Sequence, residues 1–582
     1  MAQYSRWVLP AADPDAAERL ASALHIGMPA ARVLVQRGYA EPASAREFLE
    51  PGLDGLHDAF TLRDMDRAAA RLAQAVRTRE KVLIYGDYDV DGTTSVVLLM
   101  KAIELAGGQA TWRIPHRLKE GYGIRPEAVE IAAAEHITLI VSVDTGIRAG
   151  DVVRRASEAG IDVIVTDHHL PEAELPPALA VLNPNRADCG YPNKNLCGAG
   201  VALKLAQALF AGIGWTPDRV RRVTESFLKI AALATIADVV PLTGENRVIV
   251  KHGLSGLSDV RNPGLKALLE IAGFEGAKTP SSRQVAFQIA PRINAAGRMD
   301  SAQAVIELFL TADPARAREL AAQLHQWNAE RQQAEQEIRQ DCESRPFDET
   351  DRALVYYDAG WHRGVLGIVA SRLVERLHRP VFVLGLSEED GLAQGSGRSI
   401  PGFHLLEALE SMPGLFERFG GHRYAAGVTL PAARVPEFRE LFNAYAAARL
   451  SPDELVPMLN VDAMVRLNEV SEESAEDVFK LAPFGYGNPQ PVFAAMNVEV
   501  VAPPVVMKEK HLRIAVKQDG RSVVLKAWNF VPRKDEFGPG TRLDVAFTLE
   551  EDAYSASRGY AGWCAVLMDA RAASQAREAA AS

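Results

Sequence analysis

Short apolar runs and amphipathic stretches alternate between residues 82 and 169. The apolar runs predict β-strands at 82–85, 137–143 and 162–165, and the stretches after the first two predict helices at 93–105 and 152–159. Strands that alternate with helices are typical of an α/β fold with a parallel, doubly wound sheet. Ligands bind such sheets beyond the carboxyl ends of the strands, so the residues after each strand are the first candidates for a site.

A cluster of polar residues follows each of the three predicted strands. The clusters contain Asp87, Asp89 and Asp91 after the first strand, Asp144 after the second, and Asp167, His168 and His169 after the third. Neighbouring carboxylates repel one another unless something cationic lies among them. Taken alone, the first cluster could be a solvated acidic turn. An EF-hand loop fits it poorly, because Met100 or a neighbouring Leu stands where the twelfth-position glutamate belongs. Three clusters on successive strand ends indicate a site.

The chemistry of these side chains predicts a metal centre. Mixed oxygen and imidazole ligands suit Mn, Fe or Zn, whereas sites of oxygen alone suit Mg or Ca. Asp89, Asp91, Asp144 and His168, with one further carboxylate, could hold two metal ions with one aspartate between them. Asp238 is the candidate for that carboxylate, and a helix-end cap is its alternative interpretation. Two metal ions would clamp the attacking and leaving oxygens of a phosphoryl displacement.

The adjacent histidines are predicted to have different roles. From an extended backbone, two successive side chains point in opposite directions and cannot reach one metal ion. We therefore assign His168 to the metal and His169 to a substrate phosphate. Asp167 either orients a histidine from behind or faces solvent.

These motifs carry a family resemblance. Val-Asp-Thr-Gly at 143–146 and Thr-Asp-His-His at 166–169 resemble the DHH phosphoesterase superfamily, and the chain from about Trp7 to Met568 resembles its RecJ branch. The resemblance implies a 5′→3′ exonuclease specific for single-stranded DNA, which releases mononucleotides in DNA repair and recombination. It also implies two divalent metal ions, Mn²⁺ or Mg²⁺, and a metal-activated water. Smaller members place a histidine where Tyr85 stands, so Asp87 is added to the candidate ligands and the ligand set of the first metal stays open.

The resemblance also extends to later segments. Asp313 and Pro314 predict the start of a long helix over 313–345, whose thin apolar stripe favours a bridge between two domains. After it, glycine-rich turns at 395–399 and 419–427 could close backbone N–H groups around a phosphate. The second turn resembles the DHHA1 domain, which implies substrate contacts by Arg398, Ser399, Gly420, Gly421 and His422. A surface ion pair is the alternative for Arg398.

The segment 290–299 is unusually apolar around two arginines. It resembles a substrate-facing motif of the RecJ branch, so Arg292, Asn294 and Arg298 are candidates for DNA contact. A buried salt bridge to an acidic neighbour is the alternative interpretation.

Near the carboxyl end the pattern changes to short strands at 498–501, 512–516, 522–528, 542–549 and 562–568, which predict a five-stranded OB-type barrel that binds single strands. Between residues 501 and 545 there are nine Lys or Arg and five Asp or Glu. Basic side chains follow a phosphate backbone and aromatic rings stack on bases. The candidates are Lys508, Lys510, Arg513, Lys526 and Trp528, and a solvated strand face is their alternative.

Composition limits the class of protein, its localisation and its partners. The net charge of −11 excludes a wholly basic coat but not a local basic groove. Four scattered cysteines without a C-x-x-C pair make a structural zinc site or a disulfide frame unexpected. No run of 18 apolar residues or signal peptide is visible, so we expect a cytoplasmic protein without membrane association. One chain contains a whole site, which favours a monomer. The resemblance alone implies single-stranded DNA, a single-strand-binding protein and a helicase as partners.

The predicted organisation is an N-terminal helical segment at 1–75, a DHH domain at 76–312, the connecting helix at 313–345, a DHHA1 domain at 346–452, an OB-type domain at 453–572 and a frayed tail at 573–582.

Two other functions are weighed against the exonuclease. A DHH phosphodiesterase for oligonucleotides or cyclic dinucleotides would not need residues 455–570. A non-catalytic DNA-binding scaffold would not need the clustered carboxylates.

Overall fold

The computed structural model describes residues 5–11, 13–117, 120–121, 123–276, 278–387, 389–559 and 561–573. Within them the chain forms two compact units. The central unit, named for its place in the sequence, comprises Pro51–Glu337 and Pro483–Pro489. The flanking unit comprises Met1–Glu50, Ile338–Ala482 and Gln490–Ser582. The predicted tail at 573–582 lies outside the described residues except for Ala573.

The flanking unit begins with a strand and three helices, which are β1 (Arg6–Val8), α1 (Pro14–Leu24), α2 (Met28–Gln36) and α3 (Pro42–Leu49). The helices agree with the predicted helical segment. The strand does not, because Arg6–Val8 pairs in parallel with a strand that forms more than 400 residues later, Met458–Asn460. A three-residue strand with a distant partner leaves no local pattern for sequence analysis to find.

The central unit continues with these elements: α4 (Met65–Thr78), β2 (Lys81–Tyr85), α5 (Val90–Leu105), β3 (Gln109–Arg113), α6 (Glu127–Ala134), β4 (Leu139–Val143), α7 (Gly150–Glu158), β5 (Asp162–Thr166), β6 (Ala180–Leu182), α8 (Gly198–Gly212), α9 (Pro217–Ala237), α10 (Gly244–Gly256), α11 (Pro263–Ile271), α12 (Ser282–Gln284), α13 (Ala290–Met299), α14 (Gln303–Leu310) and α15 (Pro314–Ser344). One π-helical stretch, Val285–Ile289, precedes α13.

Its five strands form one parallel sheet in the order β3-β2-β4-β5-β6. Successive residues of β2 point to opposite faces. Val82 and Ile84 enter a core with residues of α4, α5 and α8, whereas Leu83 and Tyr85 enter a second core with residues of α6 and α7. Helices therefore cover both faces, and the prediction of a parallel, doubly wound sheet is confirmed.

The long helix α15 begins after Asp313, whose carboxylate accepts a hydrogen bond from the N–H of Ala315 at 2.8 Å. Its early apolar residues Ala317, Leu320 and Leu324 are buried in the core of the central unit. The division between the two units falls within this helix, between Glu337 and Ile338.

The flanking unit resumes after α15 with β7 (Leu354–Asp358), α16 (Leu366–Leu377), β8 (Val381–Leu386), β9 (Leu392–Arg398), α17 (Leu405–Glu410), β10 (Arg418–Gly421), β11 (Ala425–Pro431) and α18 (Val435–Ala447). The strands form a mixed sheet in the order β10-β11-β9-β8-β7, in which β7 and β8 alone run parallel. Phe382, Phe438 and Phe442 pack edge-on and tilted in its core.

The last part of the chain contains β12 (Met458–Asn460), β13 (Ala463–Met464), α19 (Glu472–Phe479), β14 (Phe493–Val500), β15 (Val505–Met507), β16 (His511–Gln518), β17 (Arg521–Ala527), β18 (Arg542–Glu551), α20 (Ala553–Ala556) and β19 (Trp563–Ala572). Strands β14, β18, β19, β17 and β16 pair in that order, and β16 pairs with β14 to close a barrel. The predicted five-stranded OB-type barrel is confirmed. No helix in the described ranges is both long and apolar enough to span a bilayer.

Candidate active site

The turn between β2 and α5 places three carboxylates at the carboxyl edge of the parallel sheet. Asp89 is the N-cap of α5, and its Oδ1 accepts a hydrogen bond from the N–H of Gly92 at 2.9 Å. The turn is tight, because a Cβ on Gly92 would lie 2.6 Å from the carbonyl oxygen of Asp87. Asp87 and Asp91 are buried, with 4% and 2% of their surface exposed.

Asp91 is held by a helix that begins 107 residues later. Its Oδ2 accepts a hydrogen bond from the N–H of Gly198 at 2.5 Å, and its Oδ1 accepts one from the N–H of Ala199 at 2.7 Å. These N–H groups belong to the first turn of α8, where they have no acceptor within the helix. Sequence analysis did not single out Gly198 or Ala199. The small residues Gly198-Ala199-Gly200 at a helix start were the available signal.

Asp144 follows β4 directly, at the centre of the sheet. Its N–H donates to the carbonyl of Thr166 at 3.0 Å, and its backbone then turns into the left-handed region with φ of 57°. This turn directs the buried carboxylate towards His168, whose Nε2 lies 3.2 Å from Asp144 Oδ1. A non-glycine residue in this conformation is strained by roughly 1 kcal/mol or more, a feature that clusters at functional sites.

The histidines after β5 correct one sequence-based expectation. Their ring centroids lie 4.5 Å apart, and both imidazoles approach Asp144, with His169 Nδ1 3.9 Å from its Oδ1. The premise of an extended backbone was wrong because β5 ends at Thr166, before the two histidines. His168 and His169 therefore lie on the same side of the chain.

Asp167 does not face solvent. It is fully buried, and its Oδ1 accepts hydrogen bonds from the N–H of His168 at 2.7 Å, from the N–H of His169 at 3.0 Å and from Nδ1 of His169 at 2.7 Å. Its Oδ2 accepts from the N–H of Ile147 at 2.9 Å, in the turn after Asp144. Asp167 thereby fixes the orientation of the His169 ring, with Nε2 as the ring nitrogen that points away from Asp167.

Asp238 reaches the same cluster from the end of α9. It occupies the C-cap position of that helix, as the alternative interpretation held. Its Oδ2 also lies 3.7 Å from Nε2 of His168. The residue therefore combines a helix-end position with a place in the cluster.

The ligand atoms of these residues fall into three groups, each with all atoms within 4.8 Å of one another. The groups are Asp87, Asp89 and Asp144; Asp91, His168 and Asp238; and Asp144, His168 and His169. All six predicted metal ligands belong to the first two groups. Tyr85, by contrast, packs in the second core with its hydroxyl 3.2 Å from the carbonyl of Gly123.

The electrostatics of the cluster favour a bound cation. Burial, then repulsion from Asp89, raises the pKa of Asp87 to about 8, and burial with repulsion from Asp91 raises the pKa of Asp238 to about 9. The pKa of Asp144 is raised well above its ordinary value by burial and by four neighbouring aspartates, Asp91 foremost. Burial also raises the pKa of Asp91 and lowers that of His168, so both changes favour the uncharged form.

The pKa values of Asp167 and His169 are shifted in the opposite directions, towards the charged forms. Burial alone would raise the pKa of Asp167 and lower that of His169. Their mutual hydrogen bond reverses both effects, so the pKa of Asp167 is lowered and the pKa of His169 is raised. The pair thus favours a carboxylate beside a protonated imidazole.

Three buried atoms of the cluster lack a hydrogen-bond partner within the described part of the chain. They are Oδ1 of Asp87, Nε2 of His168 and Oδ2 of Asp238. Buried polar atoms ordinarily have partners, and exceptions at a site indicate an ion or a ligand. Carboxylate oxygens with one or two imidazoles are the donors that Mn²⁺ accepts, and Mg²⁺ accepts the oxygens. The residues therefore fit a divalent metal ion.

The predicted DNA-contacting segment 290–299 forms helix α13 in the central unit. Oδ1 of Asn294 accepts a hydrogen bond from the N–H of Val90 at 3.2 Å, so this side chain supports the acidic turn. Arg292 donates to the carbonyl of Gln288 and contacts Nδ1 of His325. Burial lowers the pKa of Arg292. Arg298 lies near Tyr88, whose pKa is raised to about 12 chiefly by burial and then by Asp87.

The predicted phosphate-binding residues of the flanking unit gather around β9 and the β10–β11 hairpin. Arg398 ends β9 opposite Ala425 of β11, and its Nη1 donates to the carbonyl of Gly397. Gly420 and Gly421 end β10, and His422 follows in the exposed turn. The hydroxyl of Ser399 donates to the carbonyl of Phe403 at 3.0 Å, which leaves its lone pairs as acceptors.

The predicted strand-binding residues lie on the barrel. Lys508 and Lys510 are in the turn between β15 and β16, and Arg513 lies opposite Lys526 on the outward side of β16 and β17. Lys526 is engaged with Asp552, with Nζ 2.6 Å from Oδ2. Trp528 is 46% exposed, with its ring edge-on to His511.

Comparison with known families agrees with this architecture. Residues 81–235 match the DHH family, N-terminal domain; residues 350–448 match the DHHA1 domain; and residues 461–560 match the RecJ OB domain. The chain is 38% identical over 550 residues to the single-stranded-DNA-specific exonuclease RecJ of Bacillus subtilis, covering 94% of this chain and 68% of that one. The chain belongs to the RecJ family. Its match to RecJ of Dickeya dadantii is also 38% identical, over 511 residues, covering 85% of this chain and 87% of that one.

Solved RecJ structures extend the likeness to three dimensions. RecJ of Thermus thermophilus in complex with Mn²⁺ matches with a TM-score of 0.83 and 32% identity, covering 99% of this chain and 80% of that one. The same Thermus protein in complex with Mg²⁺ matches with a TM-score of 0.77 and 31% identity, covering 98% and 79%. The predicted membership of the RecJ branch and the predicted combination of DHH, DHHA1 and OB folds are confirmed.

Proposed function

We propose that this RecJ-family chain is a metal-dependent 5′→3′ exonuclease that removes mononucleotides from single-stranded DNA in repair and recombination. The names of its relatives support the substrate. The observation that carries the proposal is the convergence of six ligand side chains at the carboxyl edge of the parallel sheet, three of them, Asp87, Asp91 and Asp144, buried. A protein that only bound DNA would have no use for carboxylates whose pKa values burial has raised.

The site is proposed to hold two divalent ions, Mn²⁺ or Mg²⁺. Asp87, Asp89 and Asp144 would hold one, and Asp91, His168 and Asp238 the other. Bound ions would supply activation of the attacking water and neutralisation of charge on the scissile phosphate. The proposed catalytic residues are Asp89, Asp91, Asp144, His168, His169 and Asp238, since they fix the positions at which that chemistry occurs.

His169 is assigned to the substrate phosphate. Its Nδ1 is engaged with Asp167, so Nε2 is the atom that can donate a hydrogen bond to a phosphate oxygen. The raised pKa of His169 supports this role, because a protonated imidazole carries the donor and a positive charge. Binding by His169 would hold the phosphate beside the carboxylate cluster.

Substrate recognition is assigned to three surfaces. We assign the terminal phosphate to Arg398, Ser399, Gly420, Gly421 and His422, the DNA next to the site to Arg292, Asn294 and Arg298, and the incoming strand to Lys508, Lys510, Arg513, Lys526 and Trp528. Glycine-rich backbone and arginine suit phosphate, and a basic face with an exposed aromatic ring suits a single strand. The contact of Asn294 with Val90 supports an indirect role for that residue.

We propose that the chain acts as a cytoplasmic monomer on single-stranded DNA, with a single-strand-binding protein and a helicase as partners. The domain limits of the sequence analysis, 1–75, 76–312, 313–345, 346–452 and 453–572, remain our proposal for its organisation.

A labelled oligonucleotide tests the function. A single-stranded oligonucleotide labelled at either the 5′ or the 3′ end is digested with Mn²⁺ and then with chelator, beside a blunt duplex. We expect immediate release of a labelled mononucleotide from the 5′ end, loss of cleavage with chelator and none on the duplex. Binding without cleavage in any metal would favour the scaffold. Cleavage of very short oligonucleotides alone would favour the small-substrate phosphodiesterase.

A further inference from the structure

The first turn of α8 makes two close approaches to the acidic cluster at once. Its N–H groups at Gly198 and Ala199 donate to the two oxygens of Asp91, at 2.5 and 2.7 Å. On the same turn, a Cβ built on Gly198 would lie 2.6 Å from Cβ of Asp144 and 2.9 Å from its Oδ1. The helix start thus touches both Asp91, on the turn after β2, and Asp144, at the end of β4.

Asp91 and Asp144 have little room to move away from the helix start. Asp91 and Asp144 are each 2% exposed, and Gly198 is buried. The nearest colliding atom is Cβ of Asp144 and its Cα lies at 3.0 Å, and neither can swing aside as the end of a flexible side chain can, so the contact at 2.6 Å forces something to shift. A shift of Asp144 would carry its Oδ1 with it, and that oxygen lies 3.2 Å from Nε2 of His168.

From this geometry we infer that Gly198 is a positioning residue of the metal centre. Because Gly198 has no side chain, the first turn of α8 can hold the Asp91 carboxylate by backbone hydrogen bonds while it packs directly against Asp144. The helix α8 thereby sets the spacing of the two carboxylates. The inference rests on the proposed roles of Asp91 and Asp144 as metal ligands. Residues that orient metal ligands typically change metal affinity by about 10- to 100-fold when they are altered.

The same helix provides a matched control at Gly200, two residues further on. A Cβ there would meet Cδ2 of Leu196 at 3.0 Å, which is the far end of a flexible side chain. Gly198→Ala and Gly200→Ala therefore add the same methyl group to the same buried helix start, one against Asp144 and the other against a leucine.

The first measurement is Mn²⁺ affinity by isothermal titration calorimetry on the full chain. We expect Gly198→Ala to weaken binding by about tenfold or more and Gly200→Ala to leave it at the parent value. Parent affinity in Gly198→Ala would overturn the inference. Absence of Mn²⁺ binding by the parent protein would instead overturn the proposed function, so the two failures are distinct.

A second measurement covers the case in which Gly198→Ala destabilises the protein. Thermal unfolding with chelator is compared for Gly198→Ala alone and for Gly198→Ala combined with Asp144→Gly, which removes the opposing Cβ at a position whose φ of 57° suits glycine. We expect the two changes to be coupled, so that Gly198→Ala lowers the unfolding temperature much less in the Asp144→Gly background than in the parent protein. An equal loss in both backgrounds would show general packing and overturn the inference.

Discussion

The acidic cluster of the central unit and the basic face of the barrel place charge in opposite environments. Asp91 and Asp144 are 2% exposed, and burial raises their pKa values. Arg513 and Lys517 stand on the outward side of β16 in contact with solvent. The barrel charges need no partner to be stable, whereas the buried carboxylates are unfavourable unless a cation joins them.

This difference explains why the acidic cluster predicts function more specifically than the basic face does. A buried carboxylate cluster has few purposes other than binding cations, so its geometry predicts chemistry residue by residue. A solvated basic strand face occurs on many proteins, and one of its members, Lys526, is already paired with Asp552. We therefore expect single substitutions to have large effects in the cluster and small effects on the barrel.

The largest effect is expected for Asp144→Ala. The substitution removes the carboxylate shared by two of the three ligand groups, and we expect cleavage to fall by about 10³-fold or more while single-strand binding persists. The measurement is single-turnover digestion beside a gel-shift titration. Glu551→Gln is the control, because Glu551 is an exposed carboxylate at the end of β18 and belongs to none of the ligand groups. Cleavage near the parent rate in Asp144→Ala would contradict the site.

The next effect concerns the residue behind His169. Asp167→Asn keeps the shape of the side chain but removes its charge and one acceptor from a group that receives four hydrogen bonds. We expect kcat to fall by about 10- to 100-fold with Mn²⁺ affinity little changed. An equal loss of Mn²⁺ affinity would show that Asp167 supports the metal ligands instead of His169.

The pH dependence of metal binding tests the buried charges themselves. The pKa of Asp87 is raised to about 8 and that of Asp238 to about 9, so the metal-free fold retains protons that the unfolded chain has already lost. Its stability therefore falls as pH rises through those values, and metal binding releases the protons. Mn²⁺ affinity should rise by about tenfold per pH unit for each proton released, measured by calorimetry in buffers between about pH 6 and 9. A flat profile would exclude raised pKa values.

The smallest effect is expected on the barrel. Removing two cations with Arg513→Ala and Lys517→Ala should weaken single-strand binding a few-fold and reduce the slope of log K against log salt by about 0.7 for each phosphate that is no longer neutralised. Lys526→Ala is the comparison, and its effect per removed cation should be smaller because Asp552 already neutralises that charge. Fluorescence anisotropy at several salt concentrations measures both, and an unchanged slope would remove this face from the binding surface.

Sequence analysis identified the parts of the site that are local in the chain. The aspartates and histidines follow apolar strands directly, so the pattern places them at one edge of the sheet. Strand β3 was missed because Gln109–Arg113 mixes polar and partly exposed residues, and β6 was missed because it has three residues. Neither carries a candidate ligand.

Contacts made by distant residues could not be predicted in this way. Gly198 lies 107 residues from Asp91, and nothing in its own segment specifies that it meets a carboxylate. The hydrogen bond from the N–H of Val90 to the side-chain Oδ1 of Asn294 joins residues 204 positions apart and could not be predicted either. Such pairings depend on how helices pack onto the sheet, which hydrophobic periodicity does not specify.

The pairing of Trp7 with Asp569 has a consequence for the order in which the chain folds during its synthesis. The indole N–H of Trp7 donates to Asp569, which is 562 residues away. Asp569 also accepts a hydrogen bond from Arg533. At elongation rates of roughly 5–20 residues per second, Trp7 waits on the order of half a minute to two minutes for its acceptor. Pro51–Glu337, by contrast, is contiguous and emerges complete well before then. Nascent chains should therefore acquire the acidic cluster before the amino-terminal strand gains its partner.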